Sequence, residues 1–279
     1  MKASAAAWQW AIKNPAVSYK QNELNKNFKP MISTGAYGDN HFDDELFWAA
    51  CELYATTNDE QYYKIVSEGL KGAMSLPGWA NVKMLGYYTL CRNEKSMNNH
   101  VQDMPGIKKQ LVAFADSLVT RVNENAFQTV MGQSRMDFIW GSNSVAANQG
   151  ILLVNAYLIT KDKKYIDYAL TNLDYILGRN ATGYCFVTGI GTKSTMHPHH
   201  RPSVADGIEA PVPGLLAGGP NPGMQDRCQY PFTEPETAYS DTDCSYASNE
   251  IAINWNAPLV YLANAIEVLE NRKLNKEKR

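Results

Sequence analysis

Residues 239–257 read YSDTDCSYASNEIAINWNA. The stretch sets one carboxyl group, Glu250, among amides (Asn249, Asn254, Asn256) and rings (Tyr246, Trp255) rather than among charges. Poor solvation raises a carboxyl pKa, which suits a general acid working near neutral pH. The alternative is a carboxylate at a helix terminus or in a buried ion pair. No Lys or Arg lies close by in the chain to make a local pair. Asp241, nine residues earlier, has two readings. It makes an Asx turn, or it orients Glu250 or a loop backbone.

Working outward, the chain has 279 residues, 44% apolar and 19% charged, enough for a sizeable core and against disorder. The net charge of −2 argues against nucleic acid or an anionic membrane as the main partner. No apolar run is long enough to span a bilayer. Residues 1–15 are too aromatic and too short in apolar length for a secretory signal. They read as an amphipathic helix that starts abruptly, as a chain beginning in mid-domain would. Several of the 16 Tyr and 6 Trp fall in Gly-, Asn- and Pro-rich loops. Rings at such places stack on the CH faces of sugars, or else fill a Tyr-rich core.

Five cysteines are present, an odd count that excludes a full disulfide framework. Cys51 and Cys91 lie in helical patterns and read as small buried residues. Cys228 and Cys244 flank a Pro-rich loop and are the candidates for one disulfide. That pairing implies an oxidising compartment, extracellular or periplasmic.

Helical periodicity dominates. Asp43 or Asp44 is expected to cap DELFWAACELYATT, and Asp59 opens DEQYYKIVSEGLKGAM. VKMLGYYTLCRN is a third helix, and Pro105 takes the first turn of a fourth. Ser142 or Ser144 caps NSVAANQGILLVNAYLITK, which is apolar all round at its centre and so fully buried. Asp162 caps the next helix and Gly178 ends it. Asn256 and Pro258 open the last, with Leu259, Leu262, Ala263, Ile266 and Leu269 as its core stripe. Short links between paired helices favour an all-α array of antiparallel neighbours. Residues 179–249 break this pattern with dense Gly and Pro. Their aromatics argue for an ordered loop over one face of the scaffold, where functional groups concentrate.

Three further clusters stand out. His197-Pro198-His199-His200-Arg201 admits ligand binding, a metal site or a structural role. Its Pro and Arg, and the absence of a helical His pair at i,i+4, make it a poor zinc site. Asp39, Asp43, Asp44 and Glu45 either favour a helix N-terminus or hold calcium, though not at EF-hand spacing. Trp140, before Gly141-Ser142-Asn143, either presents its indole to a sugar or packs in the core.

Together these segments resemble glycoside hydrolase family 9, the cellulase family. YSDTDCSYASNEIAINWNA has the order of its second signature, and FVTGIGTKSTMHPHHRPS that of its first, with Cys185 where Ser, Thr or Val is usual. TGAYGDNHFDDELFWAACELY, WGSNSVAANQGILL, LDYILGRN and PVPGLLAGGPNPGMQD also look like family segments, so the likeness covers nearly the whole chain. The resemblance implies an (α/α)6 barrel whose loops build a cleft. It implies hydrolysis of β-1,4-glucosidic bonds in cellulose or related β-glucans, with inversion and with no required cofactor. By matching position Glu250 is the general acid, and Asp241 and His199 are the other signature residues. Arg201, Tyr246, Trp140 and His200 contact sugar. Asp44 and Glu45 match acids that bind a structural calcium in some members, while the third ligand region, Trp79-Ala80-Asn81, carries no Asp.

An inverting reaction also needs a base carboxylate roughly 6.5–9.5 Å from the acid, to fit the water. The family draws it from an Asp-Ala-Gly-Asp element near the start of its domain, and residues 1–279 contain no such element. The expectation is a partial catalytic domain, a barrel incomplete at its N-terminus. The alternatives are an inactive glucan-binding or assembly piece, or an exo-acting glucosidase or glucosaminidase of the same family.

Overall fold

The computed structural model describes residues 1–97 and 104–277. Its architecture is all-α. The described residues form no strand, only isolated bridges. Two compact units are present, Met1–Met104 and Pro105–Arg279.

The first unit carries α1 (Lys2–Lys13), α2 (Gln21–Asn27), α3 (Asp43–Thr57), α4 (Glu60–Gly69) and α5 (Lys83–Asn93). Helix α3 packs on both α4 and α5. The contact centres on buried Phe47, whose ring lies against Gly69 and Gly86. A methyl at Gly86 would sit 2.6 Å from the ring, so only glycine admits the close approach. Asp59 caps α4 as expected, accepting from the Gln61 N–H at 3.0 Å. That helix ends at Gly69, short of the Met74 the periodicity suggested. Asp43 and Asp44 do not cap α3. Phe42 is its N-cap residue, and the three acids Asp43, Asp44 and Glu45 occupy its first turn, where they favour the helix dipole. On α1, Trp8 is buried against Tyr62 while Trp10 is exposed.

The second unit carries α6 (Met104–Val119), α7 (Ser142–Thr160), α8 (Lys164–Ile176), α9 (Arg201–Ala205), α10 (Tyr246–Asn249) and α11 (Ile253–Glu277). Helix α7 is buried along most of its length and packs on α8 and α11. Leu262 of α11 fills the notch at Gly150, where a Cβ would lie 2.7 Å from its methyls. Leu259 and Ile266 complete the buried stripe. Gly178 ends α8 at φ +127°, with its own N–H on the Tyr175 carbonyl and the Arg179 N–H on that of Asp174. This is the paired Schellman closure, and it needs glycine at that position.

Three expected helix starts move. Neither Ser142 nor Ser144 caps α7. Its N-cap is Gly141 at φ +83°, and the Ser144 hydroxyl turns back to the Gly141 carbonyl. Lys163, not Asp162, is the N-cap residue of α8, although Asp162 still accepts from the Lys164 N–H at 3.0 Å. Helix α11 starts at Ile253, because the Ala252 carbonyl already collects the Trp255 and Asn256 N–H groups, and it runs on through Pro258. The region 179–249 is ordered, as expected, but it also winds into α9, α10 and a 3-10 turn at Pro235–Thr237.

Candidate active site

Glu250 follows α10 directly, in an extended backbone that pairs with His199. The His199 N–H donates to the Asn249 carbonyl at 3.0 Å, and the Ile251 N–H to the His199 carbonyl at 3.4 Å. On the other edge the Gly218 N–H reaches the Glu250 carbonyl at 3.0 Å, and the Gly219 N–H that of Ser248 at 2.7 Å. The acid's backbone is thus clamped between two loop segments.

The Glu250 side chain is half-buried and accepts from the Trp140 indole N–H at 3.1 Å. Burial raises its pKa above the ordinary 4.5, and the indole bond and the nearby His199 pull the other way without cancelling the rise. No neighbouring carboxylate is among the causes. Aromatic rings flank the carboxyl group. Tyr246 lies 5.8 Å from Trp140 and 5.7 Å from His199, centroid to centroid. Trp140 and His199 remain exposed enough to meet a ligand.

Asp241 is spent on backbone. Its Oδ2 accepts from the Met196 N–H at 2.7 Å and its Oδ1 from the His197 N–H at 2.9 Å. This is the loop-orienting reading, since the carboxylate anchors the segment that presents His199. Asn249 anchors the same segment, donating to the carbonyls of His197 at 2.6 Å and Thr242 at 2.8 Å. His200 Nδ1 lies 2.9 Å from the Ser203 hydroxyl, which also accepts from the Val212 N–H. Arg201 starts α9 with its side chain exposed. His197 pairs with Asp243 at 3.4 Å, far out in solvent. Cys228 and Cys244 form the expected disulfide, while Cys51 and Cys185 are buried thiols.

Reasoning from residue types alone passes over several residues that shape the site. Asp226, Tyr230 and Asn221 brace α10 from the loop around Cys228. Gly219 rests on Asn143 and Ser142, and Gly141 on Trp255. Asn221, Asp226, Gly219, Gly141 and Asn143 fall in the family-like stretches and Tyr230 outside them, and nothing in their spacing points at Glu250.

In the first unit the Glu45 carboxyl meets that of Asp44, with Asp39 near. Asp44 is buried and its Oδ2 accepts from the Val82 N–H at 2.6 Å. Glu45 is exposed, and Asn81 uses its Oδ1 on the Lys83 N–H. Among the described residues no group of three or more His, Cys, Asp or Glu side chains could hold a metal ion.

The family model for glycosyl hydrolase family 9 matches residues 1–263. The xyloglucan-specific endo-beta-1,4-glucanase BoGH9A of Bacteroides ovatus is 45% identical over 96% of this chain and 46% of its own length. A cellodextrinase of Butyrivibrio fibrisolvens is 34% identical over 95% of this chain and 50% of its own. Among solved structures, Bacteroides ovatus GH9 superposes with a TM-score of 0.85 at 43% identity, over 94% of this chain and 47% of that one. AaCel9A in complex with cellobiose-like isofagomine gives 0.75 at 34%, over 86% and 46%. The chain therefore spans about half the length of the curated relatives it matches. The helical make-up and these superpositions agree with the six-hairpin (α/α)6 type expected from the sequence. The chain therefore belongs to glycosyl hydrolase family 9.

Proposed function

We propose that this chain supplies the proton-donating side of a site that hydrolyses β-1,4-linked glucans with inversion, and that Glu250 is the acid. The observation that carries this reading is the Glu250 carboxyl itself. It is half-buried, its pKa is raised by burial, and the Trp140 indole N–H holds it beside exposed aromatic faces. A carboxyl group so poised stays protonated further up the pH scale and can deliver its proton to a departing glycosidic oxygen. Tyr246 and Trp140 offer stacking surface to a glucosyl ring, and His199, His200 and Arg201 offer polar contacts to its hydroxyls. The likeness to a xyloglucan-specific endo-glucanase and to a cellodextrinase supports a β-1,4-glucan backbone as substrate. The Cys228–Cys244 disulfide supports secretion to an oxidising compartment.

Asp241 is a weak choice for the base, since both its oxygens already hold backbone N–H groups. The reading therefore takes water activation from a carboxylate outside this chain. The test is chain shortening of carboxymethylcellulose and of xyloglucan, read by viscosity and by the mass of released oligosaccharides, for the purified chain and for Glu250→Gln, with and without sodium azide as a substitute nucleophile, whose product is a non-reducing glycosyl azide. The expected result is little shortening without azide, a rise with azide for the parent chain, and none for Glu250→Gln. Azide-dependent shortening that survives Glu250→Gln would remove the acid role. Shortening by the parent chain without azide would show that it carries its own base.

A further inference from the structure

Asp226 sits in a turn whose backbone is held in an unfavourable conformation on both sides. Met224 at φ +39° and Arg227 at φ +62° lie in the left-handed region that residues with a Cβ avoid. Such strain persists only where the surroundings over-determine it. Here the surroundings are explicit. The Asn221 amide donates to the Gln225 side chain at 2.7 Å, the Arg227 N–H closes on the Met224 carbonyl at 3.2 Å, and Cys228 is tied to Cys244. The turn delivers one carboxylate to one place.

That carboxylate makes three hydrogen bonds. Oδ1 accepts from the Cys228 N–H at 2.9 Å. Oδ2 accepts from the Ala247 N–H at 2.8 Å and from the Tyr230 hydroxyl at 2.7 Å. The Tyr230 hydroxyl also lies 3.1 Å from Ser248 Oγ. Asn221 completes the bracket from below, donating to the Ala247 carbonyl at 2.8 Å. Both faces of the Ala247 peptide are therefore held by the same strained loop.

Ala247 is the second residue of α10, a helix of four residues. A single turn does not hold itself together, because nucleation fixes several dihedrals for one hydrogen bond. Its N-cap, Ser245, makes no side-chain cap bond, so without Asp226 the Ala247 N–H would be a buried orphan. Glu250 comes immediately after this turn and donates its own N–H to the Tyr246 carbonyl at 3.2 Å. A tilt of α10 moves Glu250 directly, and the 3.1 Å indole bond is lost within a few tenths of an ångström.

We propose that Asp226 is a positioning residue for Glu250. By holding the Ala247 N–H it fixes α10, and α10 sets where the acid meets Trp140. The proposal rests on Glu250 as the proton donor, but its test does not use hydrolysis. The probe is the indole N–H signal of Trp140 in the folded chain, followed by NMR across the carboxyl titration range. In the parent chain that signal steps as Glu250 gains its proton. In Asp226→Asn the step is lost while circular dichroism still reports helix. Tyr230→Phe removes the hydroxyl that steadies the Asp226 carboxylate, and the step shrinks. A folded Asp226→Asn with the full step overturns the proposal. Should Asp226→Asn fail to fold, a full step in Tyr230→Phe overturns it equally. A flat signal already in the parent chain would instead count against the reading of Glu250.

Discussion

Gly219→Ala tests the packing that underlies the acid. Gly219 has φ +97°, and a Cβ there would lie 2.5 Å from Asn143 Cγ and Oδ1 and 2.6 Å from Ser142 Oγ. Both neighbours are fully buried at the start of α7 and have nowhere to go. Two costs add. The left-handed backbone disfavours a Cβ by roughly 1–2 kcal/mol. Forcing a methyl into a filled site costs roughly 1–3 kcal/mol more. Stiffening the unfolded chain returns about 0.4–1 kcal/mol. The expected net loss is about 3 kcal/mol, or about 6–12 °C in Tm for a unit of this size. Gly207→Ala is the internal control. It has φ +75° but open space around the added methyl, so it bears only the backbone cost. Its expected loss is about 1 kcal/mol, or about 2–4 °C. Differential scanning calorimetry on the two variants separates sterics from backbone strain. The reasoning is refuted if Gly219→Ala loses no more than Gly207→Ala.

Other consequences follow from the same geometry. Trp140→Phe removes an N–H that favours the charged carboxylate, so Glu250 should titrate higher still in an NMR titration. Because burial raises the Glu250 pKa in the folded chain, its ionised form opposes folding at neutral pH, and that cost fades as pH falls and the group is protonated in both states. Glu250→Gln should therefore be more stable than the parent at pH 7 in a urea titration, with the gap closing toward acid pH. Replacing Cys228 and Cys244 by Ser opens a link between residues 16 apart. Chain entropy puts that loss near 3 kcal/mol, measurable as a lower urea midpoint that reductant no longer shifts.

The parts of this molecule that announce themselves in sequence do so through local chemistry. The poor solvation of Glu250 is legible because its neighbours in the chain are amides and rings and no Lys or Arg is near. The helix α7 was legible because it is apolar all round, and the C-terminus of α8 because glycine alone completes that closure. What was not legible is set by contacts between distant segments. Asp44 reads as a helix cap, and in the fold its Oδ2 takes the Val82 N–H, 38 residues away. Asn256 reads as a helix start. In the fold its Oδ1 takes the Leu216 N–H and its Nδ2 the Ala252 carbonyl, so it ties a loop to a helix already begun. Asp226 sits in a Pro- and Gly-rich loop whose purpose appears only when Ala247 arrives beneath it. Periodicity and capping rules carry no information about such pairings.

The proton-donor role belongs to one carboxyl group, and the most direct measurement is its titration. Glu250 can be assigned in a carbon-13 carboxyl NMR spectrum by comparison with Glu250→Gln, and followed from pH 3 to pH 8. The prediction is a titration midpoint above the ordinary 4.5, set by burial against Trp140 and Tyr246. A midpoint at or below 4.5 would mean an ordinary solvated carboxylate, and the proton-donor role would fall with it.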